Sequence, residues 1–111
     1  MYAILPLPIS SCSYIAPKMK HLNKYVIPKI AADWKMVADS LEFDIQAIRM
    51  IDAKCLKDPL ASCDEMMRVW LSSDAGIEPK EWSTLIAALK DVRQLTATVE
   101  EIEQAIKRLC L

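Results

Sequence analysis

The sequence predicts an all-α fold, a compact antiparallel bundle of six helices. Three observations predict it. A single glycine in 111 residues leaves too few positive-φ positions for the tight turns of sandwiches and barrels. Ala, Leu, Ile, Met, Lys and Glu dominate the residue stock, which favours helix. Apolar residues also recur at i, i+3, i+4 and i+7 in one segment after another. With 53% apolar and 26% charged residues the chain can fill a core. Its length fits one domain, at roughly 100–200 residues each.

Residues 1–18 stand apart as an irregular apolar arm, and the bundle is expected over residues 19–111. No charged side chain occurs before Lys18, and Pro6, Pro8 and Pro17 interrupt the arm. A secretory signal needs a basic residue near Met1, and none is present. A membrane-crossing helix needs ~20 apolar residues without such breakers.

The first helix is expected from about Met19 to Leu41, bent or split near Pro28, which lacks a backbone donor and crowds the preceding turn. Trp34, Val37, Ala38 and Leu41 share one face, with Lys35, Met36 and Asp39 pointing away. Asp44 reads as the cap of the second helix, and Phe43 can staple onto Ile48. Ile45, Ile48 and Ile51 are expected inward, and Gln46, Arg49 and Met50 outward. Asp58-Pro59 reads as a cap and the first residue of one short helical turn. Ser62-Cys63-Asp64-Glu65 fits the S-x-x-E capping box. It opens a fourth helix to about Leu71, with Cys63, Met66, Met67 and Trp70 inward. Ser72 to Glu78 is a loop holding Gly76. Pro79 then opens a fifth helix to about Val92, with Trp82, Leu85, Ile86 and Leu89 on one face. Thr98-Val99-Glu100-Glu101, a second capping box, starts the last helix. Val99, Ile102, Ala105, Ile106 and Leu109 form its apolar stripe, and Glu103 and Lys107 form an i, i+4 pair.

Charge and chemistry exclude several functions. Fourteen basic against fifteen acidic residues give a net charge of −1, a weak field for steering onto nucleic acid or an anionic membrane. Cys12, Cys55, Cys63 and Cys110 have long, irregular gaps, without CxxC or a Cys–His cluster. They are expected as reduced thiols in a cytoplasmic domain, with no zinc. His21 is the one histidine, and no nucleophile stands in a recognisable context around it. Asp64/Glu65 and Glu100/Glu101 are neighbours that splay around a helix, and no Gly-rich phosphate loop exists. No catalytic, metal-binding or cofactor-binding residue is therefore assigned. The Trp and Met residues read as core, with a small ligand pocket as the alternative.

Taken together, several segments from Leu22 to Leu109 resemble the death domain family. Ile30-Ala-Ala-Asp-Trp34-Lys-Met-Val37-Ala38-Asp-Ser-Leu41 resembles that family's first helix, and Asp44-Ile45-Gln-Ala-Ile48 its second. Met66-Met67-Arg68-Val69-Trp70-Leu71 is similar to the end of its fourth helix. Trp82-Ser-Thr-Leu85-Ile86-Ala-Ala-Leu89-Lys90 is similar to its fifth, and Glu101-Ile102-Glu103 falls where the sixth carries apolar positions. The Trp70-Leu71 ending favours death domains over death effector, caspase-recruitment and pyrin domains. The apolar arm has no family counterpart.

The resemblance implies a six-helix Greek-key bundle that binds other death-domain proteins, without catalysis, to assemble apoptotic or innate-immune signalling complexes. In that family the second and third helices meet the first and fourth of a neighbour. The end of the fourth helix and its loop meet the loop between fifth and sixth. Mapped here, Arg49, Lys54 and Lys57 would face Asp39, Asp64 and Glu65, with Arg68 nearby. Asp74 and Glu78 would face Lys90 and Arg93. Opposite signs on different faces imply head-to-tail homo-oligomers. The implied partners exclude nucleic acid and insertion of the domain into a membrane. A helical nucleic-acid-binding domain is the alternative of another class.

Overall fold

A computed structural model describes residues 15–109. Most of the expected arm, together with Cys12 and Cys110, lies outside that range. The described residues form six helices and no strand. They divide differently from the sequence expectation.

Helix α1 (residues 19–30) does not break at Pro28. It begins as α-helix over Met19–His21, widens to a π turn over Leu22–Val26 and returns to α-helix over Ile27–Ile30. The Ile27 N–H donates to the Leu22 carbonyl five residues back. That shifted register takes up the missing donor and ring bulk of Pro28, which sits second in the segment that follows. The break comes next, in a 3-10 turn at Ala31–Asp33. Trp34–Ser40 is then a separate helix, α2. No Gly or Pro marks this break. It lets Ile30 and Ala31 on one side, and Trp34, Val37 and Ala38 on the other, all bury their side chains. The stretch that resembles a first helix therefore holds the second.

Helix α2 ends in a Schellman turn. Glu42 takes φ +66°, its N–H donates to Asp39 O, and the Phe43 N–H donates to Ala38 O, both at 3.0 Å. Helix α3 (Ile45–Lys54) starts at Asp44, whose carboxylate accepts the Ala47 N–H at 3.0 Å. Phe43 and Ile48 both bury, as a staple requires. Ile45 is the exception on the expected inner face, 57% exposed. It is the first residue of α3 and lies at the edge of the stripe. A second Schellman turn closes α3, with Leu56 and Lys57 both at positive φ and the Lys57 N–H donating to Asp52 O at 2.9 Å.

The short turn expected at Asp58-Pro59 is the first turn of α4 (Pro59–Ser72). The Asp58 carboxylate accepts the Leu60 N–H at 3.1 Å, so the helix is already capped when it reaches Ser62. Ser62 lies inside α4, fully buried, and its hydroxyl has no partner. The capping box read there does not form. Cys63, Met66, Met67 and Trp70 are inward with no exposed surface. Each such side chain contributes roughly 1.5–3 kcal/mol relative to exposure. Helix α4 packs against α1, the 3-10 turn, α2 and α3, and so lies at the centre of the bundle.

Pro79 does not open the next helix. Glu81 is extended, and α5 runs Trp82–Lys90. Its first N–H, that of Trp82, donates to the Ile15 carbonyl at 3.1 Å. A 3-10 turn at Arg93–Leu95 leads into α6 (Thr96–Leu109). Thr98 is interior to α6, so the second capping box also does not form; burial of Leu95 in the lead-in turn draws the helix start forward. Val99, Ile102, Ala105 and Ile106 bury as expected.

Candidate interaction surfaces

The residues singled out by charge are placed by helices α2 to α5, the loops between them and the α5–α6 turn. Most already have partners within the molecule. Lys54 on α3 bonds to Glu65 on α4 at 2.8 Å, so these two lie side by side instead of on opposed faces. The Glu65 hydrogen bond raises the Lys54 pKa. Lys57 reaches back to Asp52 at 3.2 Å, and Lys35 of α2 approaches the same carboxylate at 3.3 Å. Desolvation opposes the charge on Asp52, but hydrogen bonds from both ammonium groups outweigh it and lower the pKa. Arg68 pairs with Asp64 one turn earlier at 2.8 Å. Glu78 pairs with Lys80 at 3.5 Å. Lys90 pairs with Glu103 at 3.6 Å, which replaces the expected Glu103–Lys107 contact.

Asp39, Arg49, Asp74 and Arg93 remain exposed, with no ion pair among the described residues. Arg49 lies on α3 and Asp74 in the loop after α4. Asp39 and Arg93, assigned to different contacts by sequence, line one groove of about 590 Å³. Its floor includes Met36, Ile45 and Ile48. Gln94 Nε2 donates to Met36 Sδ at 3.4 Å and ties the α5–α6 turn to α2. The groove offers apolar contact with charges of both signs around it, Asp39 and Asp91 against Lys35 and Arg93.

The loop after α4 is held firmly. The Trp70 indole N–H donates to Ile77 O at 3.0 Å, and the Ile77 N–H donates to Leu41 O at 2.7 Å. The Lys80 ammonium donates to Ala75 O and lies 5.5 Å from the Trp70 ring centroid. Asp74 and Glu78 thus project from an ordered frame.

Sequence reasoning missed Lys35 and Asp52 as pairing partners and gave Glu103 the wrong one, because Lys35 meets Asp52, and Lys90 meets Glu103, from another element. It also missed a basic cluster around His21, although the absence of any acidic residue before Asp33 was visible in the sequence.

No group of three or more His, Cys, Asp or Glu residues able to hold a metal occurs among the described residues. Cys55 and Cys63 are free thiols. Burial, then the nearby Asp64 charge, pushes the Cys63 thiol up to about 12, which suppresses the nucleophilic thiolate. Trp34, Trp70 and Trp82 are core residues, as are Met66 and Met67.

Residues 19–106 match the family model described as Death domain. No curated protein and no solved structure matches the chain significantly.

Proposed function

The chain belongs to the Death domain family, and from that premise we propose that it makes homotypic contacts with other death domains in the cytoplasm, assembling apoptotic or innate-immune signalling complexes. The domain itself is a death-fold protein–protein interaction module of a non-catalytic family.

One observation carries the finer reading. After internal pairing, Asp74 and Arg93 remain exposed and unpaired among the described residues. They project from the α4–α5 loop and the α5–α6 turn, the two segments whose counterparts meet between neighbours in this family. Asp74 on one molecule can therefore meet Arg93 on the next, head to tail, leaving a free end of each kind. The α2–α3 surface supplies a second contact. Met36, Ile45, Asp39 and Arg49 lie on the helices that the family presents to a neighbour's first and fourth. Rim charges of this kind contribute roughly 0.2–1 kcal/mol each, so they act on register and encounter more than on total affinity.

Complementation between charge variants tests the reading. Asp74→Arg and Arg93→Asp alone should each reduce oligomerisation, or capture of a partner death domain, in sedimentation at low salt. Mixing the two variants should restore pairwise association through their intact complementary faces. Wild-type association in both single variants would sink the mapped contact.

A further inference from the structure

Helix α1 carries charge that the contacts between Asp74 and Arg93 leave unused. Residues 15–32 hold Lys18, Lys20, Lys24 and Lys29 and no acidic residue, whereas residues 33–111 hold ten basic against fifteen acidic residues. Lys18, Lys20 and Lys24 are exposed around the first turns of α1 and have no ion pair among the described residues. Lys20 and Lys24 stand four residues apart, the spacing of neighbours on one helix face. Desolvation first, and then Lys20, Lys18 and Lys24, lower the His21 pKa, as crowded positive charge requires. Lys29 bounds the patch, because Glu101 neutralises it at 2.9 Å.

A surface of opposite sign lies elsewhere on the same molecule. The end of α2, the α4–α5 loop and α5 enclose a cleft of about 370 Å³. Among the described residues, the charged side chains lining it are all acidic: Glu42, Glu78 and Asp91. Glu78 pairs with Lys80 at 3.5 Å. Glu42 and Asp91 are exposed and have no ion pair among the described residues. The lining also includes Ala87 and Ala88. Their methyl groups leave room for a long side chain and give its stem apolar contact.

We propose that Lys20 and Lys24 of one molecule dock into the acidic α2–α5 cleft of a second copy. The contact rests on the homotypic reading for its partner and adds a pair of surfaces that reading does not contain. The lysine stems lie along Ala87 and Ala88, and the ammonium groups reach Glu42 and Asp91. The two surfaces belong to different elements, so the contact is heterologous and leaves one free surface of each kind at the ends of an assembly. Complementary charge selects this occupant. Nucleic acid or an anionic bilayer would also attract the lysines, but each would meet the acidic excess of residues 33–111 and leave the cleft without a role. Exposed charges of this kind act on encounter and register, and salt screens them.

Carbodiimide crosslinking of the full chain tests this, because the reagent joins a lysine to a carboxylate only where the two touch. A mixture of nitrogen-15-labelled and unlabelled protein identifies links between molecules by mass. Lys20 or Lys24 should link to Glu42 or Asp91 of another molecule at low salt, and the yield should fall sharply between roughly 0.05 and 0.5 M salt. Lys20→Glu with Lys24→Glu, and separately Glu42→Lys with Asp91→Lys, should each weaken self-association about tenfold in sedimentation. Mixing the two variants should restore it. Circular dichroism checks that both variants fold, and the wild-type crosslinks stand without them. Absence of these intermolecular links, or no recovery in the mixture of folded variants, overturns the proposal. Binding of the lysines to duplex DNA or to phosphatidylserine vesicles without these links overturns it in favour of that partner. Asp74 and Arg93 line neither surface, so the two contacts fail separately. Links absent while Asp74→Arg still reduces association sink this contact alone, and links present while Asp74→Arg has no effect sink the other alone.

Discussion

Gly76 stands where any Cβ would lie 2.7 Å from Cδ1 of Trp70. It also takes φ +81°, and the same Cβ would come within 3.0 Å of Leu41 O and Phe43 Cε1. The single glycine of the chain thus lets the α4–α5 loop close over the central tryptophan, and that closure presents Asp74 and Glu78.

Gly76→Ala combines positive-φ strain with a contact against backbone and a buried ring. It should destabilise the domain by roughly 2–4 kcal/mol in urea unfolding. Partner binding should weaken further, because the loop that presents Asp74 is displaced.

Leu56 has φ +54° at the Schellman turn after α3, and its side chain is 87% exposed. It carries the strain of a left-handed residue with almost no burial in return. Leu56→Gly should stabilise the fold by roughly 0.5–1 kcal/mol, even after the entropy cost of glycine. A lower melting temperature would contradict this account of the turn.

The Ser62 hydroxyl is buried without a partner in a helix capped four residues earlier. Ser62→Ala removes an uncompensated polar group and raises helix propensity. A gain of about 1 kcal/mol is expected. A loss of that size would show that the hydroxyl makes a stabilising bond.

Asp52 is held below the ordinary aspartate value of 3.8 by Lys57 and Lys35. Its ion pairs therefore stabilise the fold fully above that value, and the contribution is lost as pH falls through the lower folded pKa. Asp52→Asn should flatten this acid limb while changing little of its shape above pH ~5. Unfolding free energies measured across the acid range, for both proteins, check the prediction.

Cys63 should resist alkylation in the native state, since its thiol is buried and pushed up to about 12. Half-exposed Cys55 should label before Cys63. Peptide mass analysis during a labelling time course should show Cys63 reacting only as the domain opens.

Much of the helical layout was legible because burial follows period. Trp34, Val37, Ala38 and Leu41 bury as one face, and so do Trp82, Leu85, Ile86 and Leu89. The caps at Asp44 and Asp58 were legible too, since a carboxylate beside a free N–H is a local event. Two S/T-x-x-E matches misled for the opposite reason. The same spacing is compatible with a helix interior, and α4 and α6 had already begun.

The sequence by itself determined the helical class, the apolar faces and the resemblance to the death domain family, all of which rest on contacts within a turn or two. Only the tertiary structure decided where α1 ends, since packing against α4 sets the break at Ala31–Asp33 without any local breaker. It alone decided which charges remain free. Lys54 meets Glu65 and Lys90 meets Glu103 across helices, and such pairings depend on how the helices lie against one another, which no one-dimensional pattern encodes.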